Sequence, residues 1–333
     1  MNPPALQVSF APILTLIQQA KARAFAAVNH ELIDLYWHVG QYISQKTEHD
    51  GWGKNIVQQL AVWLATQEPE ARGFSASNLW RMRQFFDTYQ ADPKLAPVVR
   101  ELPWTHNLLI LAKCKSQPER EFYLQLAVQQ RWGKRELERQ IDGAMFERAV
   151  NNPTKISKAL QEIPKAGQVF RDSYLLEFLN LPVNHSEADL QQGLVANLKD
   201  FLLELGMGFC FVGQNYRVQV GNQDFRIDLL FFHRGLQALV VFELKISDFK
   251  PAHMGQLEFY LEALDRDHRQ AHEAPSIGVL LCKSADSEVV EYALARTASP
   301  ALVAQYMTQL PNKALLQAKL EEFYDLATRD EAG

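Results

Sequence analysis

Cysteine is scarce in this chain: Cys114, Cys210 and Cys282 stand far apart in apolar surroundings. An odd, dispersed set offers neither a disulfide framework nor the spacing of a zinc site, and it reads as reduced, buried thiols in a cytoplasm. Long uncharged apolar runs are missing as well. The longest candidate, 201–212, is cut by Glu204 and by glycines, so no segment has the roughly 18 apolar residues of a membrane span. Gln18, Gln19, Lys21 and Arg23 interrupt the N-terminus before a signal-peptide core can form. With 16 glycines and 15 prolines among 333 residues, the chain is neither collagen-like nor dominated by linkers. Internal repeats, a GxSxG elbow and a CxxC pair are all absent. Gly206 and Gly208 precede a strand and not a helix, so they form no nucleotide-binding loop. His30 and His38 lie eight apart with no third ligand in register.

What is present is the composition of a soluble globular protein, 47% hydrophobic and 22% charged. At about 150 residues per domain the length predicts two domains. Net charge is −5 but uneven: residues 1–165 carry 20 Lys+Arg and 16 Asp+Glu, the remainder 14 and 23. Two halves with different roles are expected, the first more tolerant of an anionic partner.

The first half has apolar residues at helical spacing throughout. Leu14, Ile17, Val28, Leu32, Leu35, Val39 and Ile43 mark a helix over 11–43, and further helices are predicted at 54–66, 76–89, 105–115, 117–130 and 134–150. Domain bounds of 1–150 and 167–333 follow, with 151–166 (Pro153, Pro164) as the hinge. Beyond it the period changes. After a helix at 187–205 come short Val-, Ile- and Phe-rich runs at 209–212, 216–220, 225–232, 238–244 and 277–282, interleaved with helices at 253–265, 287–295 and 313–326. That alternation predicts an α/β domain around a central mixed sheet behind an all-helical first domain.

The chemistry concentrates in one stretch. Asp228 lies in the strand 225–232, and after a turn through Arg234-Gly235 the next strand carries Glu243 and Lys245 on one face. Charges in otherwise apolar strands are either buried at cost or gathered at a functional edge. Two carboxylates and an amine there suit a hard divalent cation, which takes oxygen ligands together with water and phosphate. Such an ion activates a water and polarises a phosphoryl oxygen, and Lys245 can orient that water or offset developing charge. The plain alternative is a structural salt bridge between Glu243 and Lys245 beside a solvated Asp228. The following helix presents Gln256 and Tyr260, at i and i+4, towards the sheet.

In the first half, helices 55–66 and 76–89 read as a helix-turn-helix. The second places Asn78, Arg81 and Gln84 on one face with Arg83 at its flank, residue types that read base edges or grip phosphates. A solvated face on a bundle helix, or a protein partner, fits that pattern as well. Arg131, Lys134, Arg135 and Arg139 form a second basic group.

The order of helix, Asp hairpin, Glu-x-Lys strand and Gln/Tyr helix resembles the PD-(D/E)xK nuclease superfamily. More narrowly, the chain resembles the bacterial YhcG-like nucleases. The strings that carry the likeness are FLLELGMGFCFVGQNYRV (201–218), FRIDLLFFHRGLQALVVFELK (225–245), FKPAHMGQLEFYLEALD (249–265), PSIGVLLCKS (275–284) and VVEYAL (289–294). RGFSASNLWRMRQFF (72–86) and LPWTHNLLIL (102–111) match that family's N-terminal domain. The resemblance implies a nuclease-like α/β domain with Asp228 and Glu243 as metal ligands, Lys245 as the catalytic lysine, and Gln256 and Tyr260 as supporting site residues. It implies Mg2+ or Mn2+ as cofactor and DNA as partner, with RNA also open, in repair, recombination or defence. A homo-oligomer is in keeping with nucleases that cut two strands, and no membrane is involved. One departure stands out: relatives commonly have Glu where this chain has Gln191, with Glu187 or Asp189 as nearby substitutes. A catalytically weakened nuclease fold that binds nucleic acid or a partner is the competing reading.

Overall fold

The computed structural model describes the backbone of residues 3–151, 154–182 and 184–330, and the side chains of that set except 3–15, 22 and 322–330. Two compact units divide the chain, Met1–Ile141 and Asp142–Gly333. The boundary falls ahead of the expected 150, because the predicted helix 134–150 is two helices, Lys134–Asp142 and Met145–Asn151. Ala144 breaks it in a left-handed conformation (φ 52°), and the freed carbonyl of Gly143 accepts Nε of Arg148 at 3.0 Å.

The first unit is helical: Pro3–His49, Lys54–Gln67, Ala76–Tyr89, Leu95–Glu101, Trp104–Lys113, Gln117–Gln129 and Lys134–Asp142. Ser75 and Ser116 cap two of them by accepting the backbone N–H three residues on, which fixes where those helices begin. The long first helix lies against Ala76–Tyr89 through Ile33, Tyr36 and Ile43, which are buried with Leu79, Met82 and Phe86. The backbones approach closely at Gly40, where a Cβ would stand 2.1 Å from the Met82 carbonyl oxygen. The side chain of Leu14, read as part of this stripe, lies outside the described residues.

The second unit is a six-stranded sheet in the order β1-β6-β5-β4-β3-β2: β1 Ser173–Leu175, β2 Phe209–Val220, β3 Gln223–His233, β4 Ala238–Asp248, β5 Ile277–Ser284 and β6 Ala301–Met307. Strands β2, β3 and β4 are antiparallel neighbours, while β4, β5, β6 and β1 run parallel. One face packs Phe231, Phe242 and Leu244 against Leu190, Leu194, Phe201 and Leu205. The other packs Leu230, Val241 and Leu280 against Leu257, Leu261, Leu264 and Val290. Helices on both faces explain why β5 reads as one continuous apolar run.

Further expectations need correction. The segments 209–212 and 216–220 are one strand, with a register shift between Phe211 and Gly213. The helix 187–205 breaks at Asn197 (φ −110°, ψ 36°), whose amide Nδ2 and backbone N–H both donate to the Gly193 carbonyl. The expected hinge is folded onto the sheet: Ile156 bridges Leu302, and the Ser157 hydroxyl accepts from Leu160 N and Ala301 N. Pro153 lies outside the described residues. Cys114 and Cys282 are buried as expected, but Cys210 is exposed on β2, an edge strand. No helix among the described residues is long and apolar enough to cross a membrane.

Candidate active site

The site forms where two strands part. Pairing between β3 and β4 runs from His233↔Ala238 to Leu229↔Phe242 and stops there. Asp228 and Glu243 are the next residues on each strand. With the ladder open, Asp228 Oδ2 accepts the backbone N–H of Leu244 at 2.9 Å. On the other side of β3, Asn215 stands opposite Asp228, between the pairs Gln214↔Leu229 and Tyr216↔Ile227. It adopts a left-handed conformation (φ 47°), which asparagine tolerates better than most residues.

Glu243 is only 2% exposed and Lys245 14%. The ammonium of Lys245 donates to Glu243 Oε1 at 2.8 Å, leaving Oε2 buried with no hydrogen-bond partner among the described residues. Burial, and then the negative charge of Asp228, push the Glu243 carboxyl up to about 7. Asp228 is raised too, first by burial, against the lowering effects of the Leu244 N–H and of Lys245. Burial works to lower the Lys245 pKa, but the hydrogen bond and charge of Glu243 outweigh it and hold the amine cationic. Burial disfavours the ionised form of both carboxyls and the Asp228 charge disfavours that of Glu243 further, a cost that the single Lys245 ammonium only partly offsets and that a divalent cation would relieve.

The structure separates the candidate acids of the first core helix, Glu187–Ala196. Asp189 is occupied in a capping box, accepting from the N–H and hydroxyl of Ser186 at 2.9 and 2.8 Å. Exposed Glu187, in contrast, adds negative charge felt at Asp228, Glu243 and Lys245. Gln191 acts as a clasp. Its Nε2 donates to the Asp228 backbone carbonyl at 2.7 Å and to Asn215 Oδ1 at 3.3 Å. On the helix Ala252–Asp267, Gln256 Nε2 donates to the Tyr260 hydroxyl at 3.0 Å. Burial raises the Tyr260 pKa, and the charges of Glu243, Asp228 and Lys245 all reach it. Gln256 and Tyr260 therefore border the carboxylates. His253 is a further residue at the site, one that no motif marks. Burial and then the Lys245 charge lower its pKa, and its Nδ1 accepts the Lys250 N–H at 3.3 Å, so a neutral imidazole borders the site. Its only sequence signal is its place directly after Pro251-Ala252, in the first turn of the helix that carries Gln256.

Among the described residues no three His, Cys, Asp or Glu side chains converge closely enough to hold an ion alone. The residues present still fit magnesium, which is commonly held by one or two carboxylates with water and substrate phosphate. The orphaned Glu243 Oε2 is the observation that fits it, a buried carboxyl oxygen with no hydrogen-bond partner among the described residues.

In the first unit the proposed readers of nucleic acid separate. Asn78 is used at both ends: Nδ2 donates to the Gly73 carbonyl and Oδ1 accepts from Trp104 Nε1 at 3.0 Å. Arg83 pairs with Asp87 at 3.2 Å and stacks over Trp80. Arg81 and Gln84 are exposed, and with Lys134 they line a cavity of about 280 Å³ whose wall includes Thr105, Leu108 and Leu109. One member of the second basic group thus joins the first. Arg139 instead pairs with Glu136 at 3.1 Å. The connection 68–75 between the two helices is longer than the roughly three or four residues of a helix-turn-helix.

Comparison with known proteins agrees with this architecture. Residues 167–321 match the YhcG PDDEXK nuclease domain, and residues 12–148 match the DUF1016 N-terminal domain. "Putative nuclease YhcG" of Escherichia coli (strain K12) is 30% identical over 356 aligned positions, covering 94% of each chain. Solved structures with partial likeness include a repair endonuclease from Pyrococcus abyssi, at 16% identity over 38% of this chain and 48% of that one, TM-score 0.26. EndoMS in its apo form is another, at 19% identity over 39% and 48%, TM-score 0.25. At such scores the fold assignment rests on the sheet and the family match. Its two matched domains and its end-to-end alignment with a curated relative place the chain in the YhcG family of the PD-(D/E)xK nuclease superfamily.

Proposed function

We propose that the protein hydrolyses phosphodiester bonds in DNA with a divalent metal, magnesium or manganese, held by Asp228 and Glu243. One observation carries the reading: a half-buried carboxylate, Asp228, and a buried one, Glu243, meet where β3 and β4 part, the latter with an oxygen that has no hydrogen-bond partner among the described residues, beside a lysine kept cationic. When bound, the ion polarises a phosphoryl oxygen and lowers the pKa of an attacking water. The chain's own residues do the rest. The Leu244 N–H and the Gln191 clasp on the Asp228 carbonyl fix the rotamer and backbone of Asp228. Lys245 places its ammonium where negative charge grows on the phosphoryl oxygens. Tyr260, oriented by Gln256, is a donor at the rim of the same space. Glu187 supplies acidic charge from the first core helix, so Gln191 in place of Glu does not empty that helix of acid. This weakens the case for a catalytically impaired binding module.

In the first unit, Arg81, Gln84 and Lys134 form the surface that we assign to the sugar-phosphate backbone. Cleavage of plasmid and linear DNA by the full chain, with Mg2+, with Mn2+ and with chelator, tests the whole reading. Cutting that needs the metal supports it, whereas tight DNA binding without cutting in either metal moves the protein to the binding-module class. RNA in parallel reactions decides the substrate.

A further inference from the structure

We infer that the long helix Pro3–His49 pairs with the same helix of a second copy of the chain, through an apolar seam running from Phe25 to Tyr42. This helix has two apolar faces. One, with Ile33, Tyr36 and Ile43, is buried inside its own unit. The other carries Phe25, Val28, Leu32, Leu35 and Tyr42, which are 75%, 66%, 37%, 46% and 52% exposed, together with half-buried Val39. Isolated apolar residues on a surface need no explanation, but a contiguous row does. These six are spaced three, four, three, four and three residues apart, the a and d positions of a heptad repeat, over a length of about 26 Å. Such spacing fits another helix packed alongside, each side chain entering a hole between four of its partner's.

The order of residues identifies the occupant. Read from either end, the seam runs aromatic, valine, leucine, leucine, valine, aromatic. A second copy laid in either direction therefore meets its own kind in every layer. The register is fixed as well. The next d position before Phe25 is Lys21 and the next a position after Val39 is Lys46, so a slip by one heptad would press an ammonium into an apolar layer. Only the first unit is involved, independently of the metal-site reading.

Sedimentation velocity on the full chain tests the pairing. The unmodified protein should sediment as a dimer, and Leu32→Glu with Leu35→Glu should sediment as a monomer of unchanged helical circular dichroism. Leu203→Glu, at an exposed leucine of the second unit, should leave the dimer intact. A second measurement does not depend on the glutamates folding. Val28→Cys with Val39→Cys, in a Cys210→Ser background, should give a covalent dimer on oxidation in either direction of pairing. A monomeric unmodified chain, a dimer that survives both glutamates, or cysteines that never link two chains would each overturn the inference.

Discussion

Asp228 joins β3 to β4 with its side chain and not its backbone: its carboxylate accepts the Leu244 N–H at 2.9 Å, just beyond the last ladder pair. The same hydrogen bond that closes the sheet thus aims a carboxylate beside Glu243. Structure and chemistry are coupled at one atom, and substitutions there must be read in both terms.

Acidity gives the first prediction. The Glu243 carboxyl titrates at about 7 in the fold against 4.5 ordinarily. Between those values the native state holds more protons than the unfolded one, so metal-free stability falls as pH rises through the window. At about 1.4 kcal/mol per pH unit the contribution reaches roughly 3 kcal/mol as an upper value. Asp172, raised to about 6 by burial, acts in the same direction, so the comparison must be with Glu243→Gln. Melting temperatures in chelator at pH 5 and pH 8 should lie closer together in that variant. Equal slopes in both proteins would mean Glu243 ionises normally.

Metal binding should run the opposite way with pH. Both carboxylates must be ionised to take a cation, so Mg2+ affinity should climb up to about pH 7 and then level off, with proton release on binding. Calorimetry in buffers of different ionisation enthalpy measures this directly. In Asp228→Asn the affinity should collapse, and the Glu243 pKa should fall for want of its negative neighbour.

Lys245→Met keeps the apolar stem and removes the charge. Single-turnover cleavage should slow by roughly 10²–10⁴-fold while DNA and metal affinity hold. Near-normal turnover would reduce Glu243–Lys245 to a structural ion pair.

Gln191 discriminates between two roles. As a metal ligand it would be improved by Gln191→Glu. As a strut it would be spoiled, because a carboxylate would face the Asp228 carbonyl and Asn215 Oδ1 with no proton to share. We expect the strut: Gln191→Glu should lose about 1–3 kcal/mol of stability for the lost donors, seen as a lower melting temperature, and gain no metal affinity.

On the first unit, Arg81→Ala and Lys134→Ala should each weaken DNA binding and flatten its salt dependence by about one counterion per phosphate contact. Asn78→Ala should cost stability and leave that slope alone, since its amide is spent on Gly73 and Trp104.

How far these features were readable in the sequence depended on their range. Period and local chemistry marked β3, β4 and the helix behind Gln256, so Asp228, Glu243 and Lys245 could be named as neighbours. Strand β6, Ala301–Met307, was missed because it follows Ser-Pro directly and its apolar run matters only through its parallel neighbours β5 and β1. At Gln191 the sequence shows only an amide where relatives commonly have Glu. Its true partner is a backbone carbonyl 37 residues away, and no side-chain pattern encodes that. Asn78, too, looked like a base reader by composition until Trp104 claimed it. The helix-turn-helix failed on loop length, which depends on how the two helices pack.

The uneven exposure of the thiols has a practical side. Cys114 is buried out of reach of reagents, and Cys282 is both buried and pushed up to about 12 by desolvation, so neither is ready to react at neutral pH. Cys210, out on the edge strand, is the one accessible thiol. A maleimide dye should accordingly label each folded chain once, at a known address in the second unit. Uptake of a second equivalent then becomes a chemical clock for the opening of a buried core.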